Sequence, residues 1–260
     1  MSNVLRVGDY TFQSRLIVGT GKYQTHEIMR DAIQASGTEL VTVALRRVNL
    51  NNPGEPSLLD FIPKHTRILP NTAGCYTAHE AISVARLAQA AGIGNLVKLE
   101  IIGDQDLLWP DPVETLEATK ILVREGFTVM VYTTPDPVLA KYLDKAGAHA
   151  IMPLGSPIGS GQGVLDVGAV AWFKKRVSVP VIVDAGIGSP QDACLAMESG
   201  ADAVLINTAI AQAQNPVLMA QAMKLAVEAG RLGFEAGRMP RRLEAAPSSP
   251  AAGMIGATQK

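Results

Sequence analysis

The stretch Asn95-Leu96-Val97-Lys98-Leu99-Glu100-Ile101-Ile102-Gly103-Asp104 places two charged residues inside an apolar segment that is rich in branched side chains. Such a segment, closed by Gly-Asp, predicts a short β-strand. Because side chains alternate between the two faces of a strand, Lys98 and Glu100 point to the same side. A strand of a buried parallel sheet is covered on both faces, so two charges within it indicate a specific role.

A lysine in surroundings of low dielectric constant loses its proton more easily, and its neutral amine is a nucleophile for carbonyl carbons. A neighbouring carboxylate can hold that amine and transfer protons while an imine forms. We therefore predict that Lys98 is a nucleophile and Glu100 its acid–base partner. The alternative is an ion pair with a purely structural role. Such a pair does not require the end of a strand, whereas the catalytic residues of parallel α/β folds lie there.

The rest of the chain repeats the order strand-then-helix about eight times, the number of units in a (β/α)8 barrel. The predicted strands are 15–20, 40–45, 66–69, 95–104, 127–132, 148–153, 180–184 and 203–207. We predict an α/β fold, a single-domain TIM barrel at residues 1–246. A doubly wound sheet is the alternative, but it seldom keeps such even spacing. Residues 247–260, rich in Ser, Pro, Gly and Ala, predict a flexible C-terminal tail.

Composition excludes several classes of protein. The net charge of −1 gives no electrostatic argument for nucleic acid or for an anionic membrane surface. Cys75 and Cys194 lie far apart, which argues against a disulfide framework and against a zinc site. The sequence contains no apolar run of membrane-spanning length and no signal peptide pattern. We therefore expect a cytoplasmic protein without a membrane anchor.

Active sites of such barrels lie where strands end and helices begin. Asp184 closes a predicted strand, so we expect it to join Lys98 and Glu100 at the barrel mouth. Its alternative role is that of a turn aspartate bonded to local backbone. Glycines follow the sixth and seventh strands, and Asn207-Thr208 follows the eighth. Because glycine lets backbone N–H groups approach an oxyanion closely, these loops predict a phosphate site.

Other reactive residue types carry weaker predictions. His79-Glu80 lacks a second histidine four positions after the first, so it is no zinc motif. Cys75, in a strand-to-helix loop, is a minor candidate nucleophile because no base is identifiable as its partner. Arg46 and Arg47 follow a strand, but a solvated charge pair is the favoured interpretation.

Seven segments together resemble the bacterial thiazole synthases of thiamine biosynthesis, and the resemblance extends from about residue 10 to residue 238. The segments are FQSRLIVGTGKY at 12–23, TVALRR at 42–47, LPNTAGC at 69–75, VKLE at 97–100, PIGSG at 157–161, VDAGIG at 183–188 and NTAIA at 207–211.

The resemblance implies a sulfur-transferring transferase that works through a lysine Schiff base. It would condense 1-deoxy-D-xylulose 5-phosphate, dehydroglycine and sulfur from a thiocarboxylated sulfur-carrier protein (ThiS-like) into thiazole phosphate carboxylate. By the same resemblance, Lys98 forms the imine, and Glu100 and Asp184 move protons. The residues implied to bind the substrate, mainly at its phosphate, are Gly159, Ala185, Gly186, Asn207 and Thr208.

The resemblance further implies a homotetramer that needs no metal and no organic cofactor. Its dehydroglycine would come from a separate enzyme, either an anaerobic lyase (ThiH-like) or a glycine oxidase (ThiO-like). One rival is a Schiff-base aldolase acting on a sugar phosphate, which would share Lys98 and the phosphate loops but need no protein partner. Another is a non-catalytic barrel that scaffolds a carrier complex, for which Lys98→Ala would still support turnover.

Overall fold

A barrel of eight parallel strands forms the centre of the computed structural model, which describes residues 4–45 and 57–248. The strands are β1 (Leu16–Gly19), β2 (Leu40–Ala44), β3 (Arg67–Asn71), β4 (Leu96–Leu99), β5 (Thr128–Thr133), β6 (Ala150–Pro153), β7 (Ile182–Asp184) and β8 (Ala203–Ile206). Arg46 and Arg47 lie outside the described residues, as does the predicted tail from residue 249 onward.

The strands follow one another around the barrel in chain order. Parallel pairing connects β1 through to β6, and β7 to β8 and back to β1. Parallel bridges between Ile151 and Val181 and between Leu154 and Asp184 then join β6 to β7 and close the ring. The predicted single-domain (β/α)8 barrel is therefore confirmed, and the doubly wound sheet is excluded.

Eight helices accompany the strands in the described part of the chain. They are α1 (His26–Ser36), α2 (Ala78–Ala90), α3 (Pro112–Arg124), α4 (Pro137–Lys145), α5 (Val167–Lys174), α6 (Pro190–Glu198), α7 (Thr208–Ala211) and α8 (Pro216–Ala236), and a 3₁₀ helix, Leu58–Phe61, precedes β3. All of them except α7 begin at a side-chain cap. At α3, Oδ1 of Asp111 accepts from the backbone N–H groups of Val113 and Glu114, as an Asp-Pro helix start predicts. Within the described residues, none of the helices has the length and apolar character needed to cross a membrane.

The barrel interior is closed at one end by an element that the sequence did not predict. An antiparallel hairpin, Leu5–Val7 with Tyr10–Phe12, precedes β1. Its buried residues Leu5, Val7 and Phe12 pack with interior side chains such as Leu40 and Leu96, the first residues of β2 and β4. The hairpin therefore seals the end where the strands begin, and the open end is the one where they finish.

The predicted strand at 95–104 is wrong as one continuous element. β4 ends at Leu99, and Ile102–Asp104 pairs antiparallel with Trp109–Pro110 outside the barrel. Thr72 causes the break, because its Oγ1 accepts from the Glu100 N–H at 2.8 Å and donates to the Glu100 carbonyl at 2.7 Å. The other seven predicted strands differ from the observed ones by no more than two residues at either end.

Candidate active site

A cavity of about 600 Å³ lies at the carboxyl ends of the barrel strands. All residues predicted from the sequence to act on or bind the substrate line it: Lys98, Glu100, Gly159, Asp184, Ala185, Gly186, Asn207 and Thr208. They come from the ends of β4, β7 and β8 and from the loop after β6. The fold thus brings together residues that are widely separated in the sequence.

Three charged side chains meet at the bottom of this cavity. Nζ of Lys98 lies 2.5 Å from Oδ2 of Asp184 and 3.5 Å from Oε2 of Glu100. The three residues are only 5%, 3% and 7% exposed, respectively. Because the side chain of Asp184 faces Lys98, it does not serve as a local turn aspartate. The group carries one positive and two negative charges when all three residues are ionised.

The surroundings shift the protonation of this group in a definite direction. Burial alone would lower the pKa of Lys98, but the carboxylates of Asp184 and Glu100 outweigh it and raise that pKa. Burial also raises the pKa of Glu100, an effect that Lys98 offsets only in part and Asp184 reinforces. The lysine therefore rests as an ammonium ion, and Glu100 accepts a proton more readily than an exposed carboxylate does.

Tyr132, near the end of β5, contacts the charged group formed by Lys98, Asp184 and Glu100, and it was not predicted from the sequence. Its ring centroid lies 5.3 Å from Nζ of Lys98, within the range of a cation–π contact. The residue is fully buried, and its hydroxyl has no hydrogen-bond partner among the described residues. Burial, with the charges of Asp184 and Glu100, raises the pKa of that hydroxyl. A signal for it existed in the sequence: Tyr132 lies two residues after Met130 and therefore on the same face of β5, and Met130 is the strand partner of Lys98.

The loops after β6 and β7 have an unusual backbone. Gly159, Ala185 and Gly186 have φ values of 75°, 66° and 79°, in the left-handed region that favours glycine. A Cβ added to Gly186 would overlap Oγ of Ser156 and lie 2.6 Å from its backbone nitrogen, so these two loops touch. Successive residues in such conformations turn backbone N–H groups toward a common point and form anion-binding concavities.

Asn207 connects two strand ends at the mouth. Oriented to satisfy its hydrogen bonds, its amide nitrogen donates to the carbonyls of Gly21 at 2.9 Å and Gly19 at 3.2 Å. The contact is close: a Cβ on Gly19 would lie 2.5 Å from Cβ of Asn207. Asn207, at the end of β8, therefore holds the loop that follows β1, while Thr208 begins α7.

The minor candidates lie elsewhere. Cys75 is buried in an apolar cluster between strands and helices and does not line the cavity. His79 is exposed on α2, away from the ion pairs described above. Within residues 4–45 and 57–248, no three or more His, Cys, Asp or Glu residues are grouped so as to hold a metal ion. The buried charged groups at the mouth, among the described residues, are therefore Lys98 and its two carboxylates.

Comparisons with known proteins agree with this geometry. A family model described as thiazole biosynthesis protein ThiG matches residues 6–250. A thiazole synthase of Anoxybacillus flavithermus is 55% identical over 252 residues, which cover 96% of this chain and 99% of that protein. A thiazole synthase of Zymomonas mobilis is 57% identical over 250 residues, with 96% and 97% covered.

Among solved structures, a chain of the BexX/CysO complex of Amycolatopsis orientalis has a TM-score of 0.82 and 32% identity. The match covers 92% of this chain and 98% of that chain. The family resemblance seen in the sequence is confirmed by the family model and the relatives together. The chain belongs to the ThiG family of bacterial thiazole synthases.

Proposed function

We propose that this chain is a sulfur-transferring transferase that condenses 1-deoxy-D-xylulose 5-phosphate, dehydroglycine and carrier-bound sulfur into thiazole phosphate carboxylate. The observation that carries the proposal is the burial of Lys98 at the barrel mouth, between Asp184 and Glu100. A buried lysine flanked by two proton acceptors is suited to imine formation with a ketone. The family to which the chain belongs supports the thiazole product.

The first step in this proposal is formation of a Schiff base. Lys98 passes a proton to a neighbouring carboxylate, and its neutral nitrogen bonds to the ketone carbon of the sugar phosphate. The ketone oxygen takes up protons and leaves as water, so that a C=N bond joins substrate and enzyme. The raised pKa of Glu100 favours this carboxyl as an acceptor of the lysine proton. Asp184 and Glu100 then move protons as the imine tautomerises.

Sulfur is proposed to come from a protein partner. Neither of the two cysteines lines the cavity, so no cysteine thiol is placed there to donate sulfur. A donor from outside is required, and a thiocarboxylated carrier (ThiS-like) supplies one in a reactive form. The similarity to a chain solved together with a second protein, CysO, supports a protein partner at this fold. Dehydroglycine is proposed to come from a separate lyase or oxidase (ThiH- or ThiO-like).

The other end of the substrate is proposed to bind through its phosphate. Gly159 and the Ala185–Gly186 pair contribute the left-handed backbone described above, and Asn207 and Thr208 complete the lining. Backbone N–H groups are donors for phosphate oxygens, and they cost no side-chain entropy on binding. We further propose that the enzyme is a cytoplasmic homotetramer that needs no metal or organic cofactor.

Borohydride trapping tests this proposal directly. The protein is incubated with 1-deoxy-D-xylulose 5-phosphate and borohydride, and adducts are located by intact mass and peptide mapping. A stable adduct on Lys98 is expected in the wild type and in Lys141→Ala, whose lysine is exposed on α4. No adduct is expected in Lys98→Ala. Failure to trap the wild type while the sugar phosphate demonstrably binds would overturn the Schiff-base mechanism.

A further inference from the structure

A second lysine reaches the cavity from the loop that follows β1. Lys22 lines the cavity and has a φ of 70°, although it is not glycine. This left-handed conformation is unfavourable for residues with a side chain, and such conformations cluster at ligand-binding sites. A glycine would adopt it without cost, so the side chain at position 22 is present despite the backbone preference.

The ammonium group of Lys22 lies beside the loop that follows β6. A Cβ added to Gly159 would lie 3.6 Å from Nζ of Lys22 and 3.9 Å from Oγ1 of Thr208. Among the described residues, no carboxylate lies within 4.0 Å of this ammonium and none forms a hydrogen bond with it. Lys98, by contrast, is paired with two carboxylates at the bottom of the same cavity.

Asn207 fixes the backbone of the loop that carries Lys22. The amide of Asn207 donates to the carbonyl of Gly21, the residue directly before Lys22, and to that of Gly19. Because Thr208 follows Asn207, the same short segment holds the lysine loop and contributes a hydroxyl beside the ammonium group. The backbone that carries Lys22 is thus fixed at the mouth, while its side chain is exposed and extends along the cavity.

We propose that Lys22 is the cationic ligand of the substrate phosphate and determines the preference for a phosphorylated sugar. This inference rests on the proposed function. The loops at 159 and 185–186 offer neutral donors, whereas a phosphate carries close to two negative charges. An unpaired ammonium at the same place supplies the compensating charge, and lysine contacts phosphate as a point charge without needing a planar, bidentate geometry.

Borohydride trapping at Lys98 also tests this proposal. The imine forms at the ketone end of the substrate, so its yield reports binding without depending directly on the phosphate end, where Lys22 lies. We would measure the half-saturating concentration of 1-deoxy-D-xylulose 5-phosphate and the inhibition constant of inorganic phosphate. Lys22→Gln is expected to raise both by about 10- to 100-fold, as for a lost charge-assisted hydrogen bond. Trapping of unphosphorylated 1-deoxy-D-xylulose is expected to be unchanged. Lys141→Gln, on α4, is the matched control.

A second variant separates binding from folding. Lys22→Gly relieves the left-handed backbone, so its thermal stability is expected to equal or exceed that of the wild type, with the same loss of phosphate affinity. If a Lys22 variant raises the half-saturating concentration equally for both sugars, or for neither, while the wild type is still trapped, the role of Lys22 is overturned. If the wild type itself forms no adduct, the failure belongs to the Schiff-base mechanism instead.

Discussion

Nζ of Lys98 lies 2.5 Å from Oδ2 of Asp184, although the two side chains enter the barrel from strands that are separated by β5 and β6. Neither residue is more than 5% exposed. A contact between non-adjacent strands forms only when the ring of strands is closed, so the charge pair depends on the complete fold. Buried charges in turn require their partners. Folding and the proposed chemistry therefore depend on the same two residues.

Replacement of Lys98 by methionine is expected to cost stability in a pH-dependent way. The variant leaves Asp184 and Glu100 buried without a cation, a loss that typically costs about 3–5 kcal/mol at neutral pH. The cost should shrink as the pH falls, because burial raises the pKa of Glu100 and its protonation removes one unpaired negative charge. Urea unfolding at pH 7 and pH 4 measures this. The control is Lys141→Met, at an exposed position on α4, whose free energy of unfolding should stay close to that of the wild type at both pH values. If Lys98→Met costs the same stability at pH 7 and at pH 4, the explanation is wrong.

Replacement of Glu100 by glutamine is expected to increase stability at neutral pH, whereas Lys98→Met decreases it. The pKa of Glu100 is raised in the folded state, mainly by burial, so the folded protein keeps a proton that the unfolded chain releases. Its contribution to stability therefore falls by about 1.4 kcal/mol per pH unit above about pH 4.5, until the carboxyl also ionises in the folded protein. Glu100→Gln removes this loss and keeps the ion pair between Lys98 and Asp184.

The measurement for Glu100 is the free energy of unfolding from pH 4 to pH 7. Relative to the wild type, Glu100→Gln should gain stability as the pH rises above about 4.5, until Glu100 ionises in the folded wild type. Glu117→Gln, an exposed change of the same kind on α3, should follow the wild type at every pH. A difference between Glu100→Gln and the wild type that does not vary with pH would show that burial does not control this carboxyl.

The meeting of Lys98, Glu100 and Asp184 was predictable, because it follows from the alternation of side chains along a strand and from the position of strand ends. Lys98 and Glu100 share a face in any strand, and Asp184 ends another, so barrel topology alone predicts that they lie at one mouth. The break of β4 after Leu99 was not predictable, because it depends on the side chain of Thr72, directly after β3, which bonds to the backbone of Glu100 in place of a strand partner. Tertiary contacts of this kind leave no local pattern.

The hairpin at residues 5–12 and the role of Tyr132 were missed for related reasons. Strands of three residues are too short for a periodic signal, and this hairpin is stabilised by burying Leu5, Val7 and Phe12 in an interior formed by other strands. Tyr132 looks like an ordinary apolar strand residue until pairing with β4 brings its ring to Lys98. Only the three-dimensional structure shows that its hydroxyl has no hydrogen-bond partner among the described residues.

Tyr132→Phe tests the cost of that hydroxyl. The ring and its contact with Lys98 are kept, and only a buried hydroxyl without a partner among the described residues is removed. Because an unsatisfied buried polar atom costs about 1–3 kcal/mol, the variant is expected to be more stable by about 1 kcal/mol. Urea unfolding measures the change. A loss of stability would mean that the hydroxyl is bonded in the native protein.

Asn207→Asp tests the link between β8 and the loop after β1. The carboxylate would face the carbonyl oxygens of Gly19 and Gly21, so two hydrogen bonds become repulsive contacts. We expect a loss of about 1–3 kcal/mol in stability and weaker binding of inorganic phosphate. Asn215→Asp is the matched control, because Asn215 caps α8 as an acceptor and aspartate caps equally well. Equal effects of the two changes would contradict a special role for Asn207.

Gly186→Ala and Gly126→Ala separate backbone strain from the contact between loops. Both glycines have left-handed φ values, 79° and 84°, so alanine at either position costs about 1 kcal/mol in strain. A Cβ on Gly126 meets nothing within 4 Å, whereas one on Gly186 overlaps Ser156 in the neighbouring loop. Gly186→Ala should therefore be destabilised by at least about 2 kcal/mol more than Gly126→Ala, as in overpacked sites. It should also bind inorganic phosphate more weakly, because relief of the overlap moves the loops at 156 and 186 apart. If the two variants unfold at the same urea concentration and bind phosphate equally, the close contact of these loops is not what shapes the site.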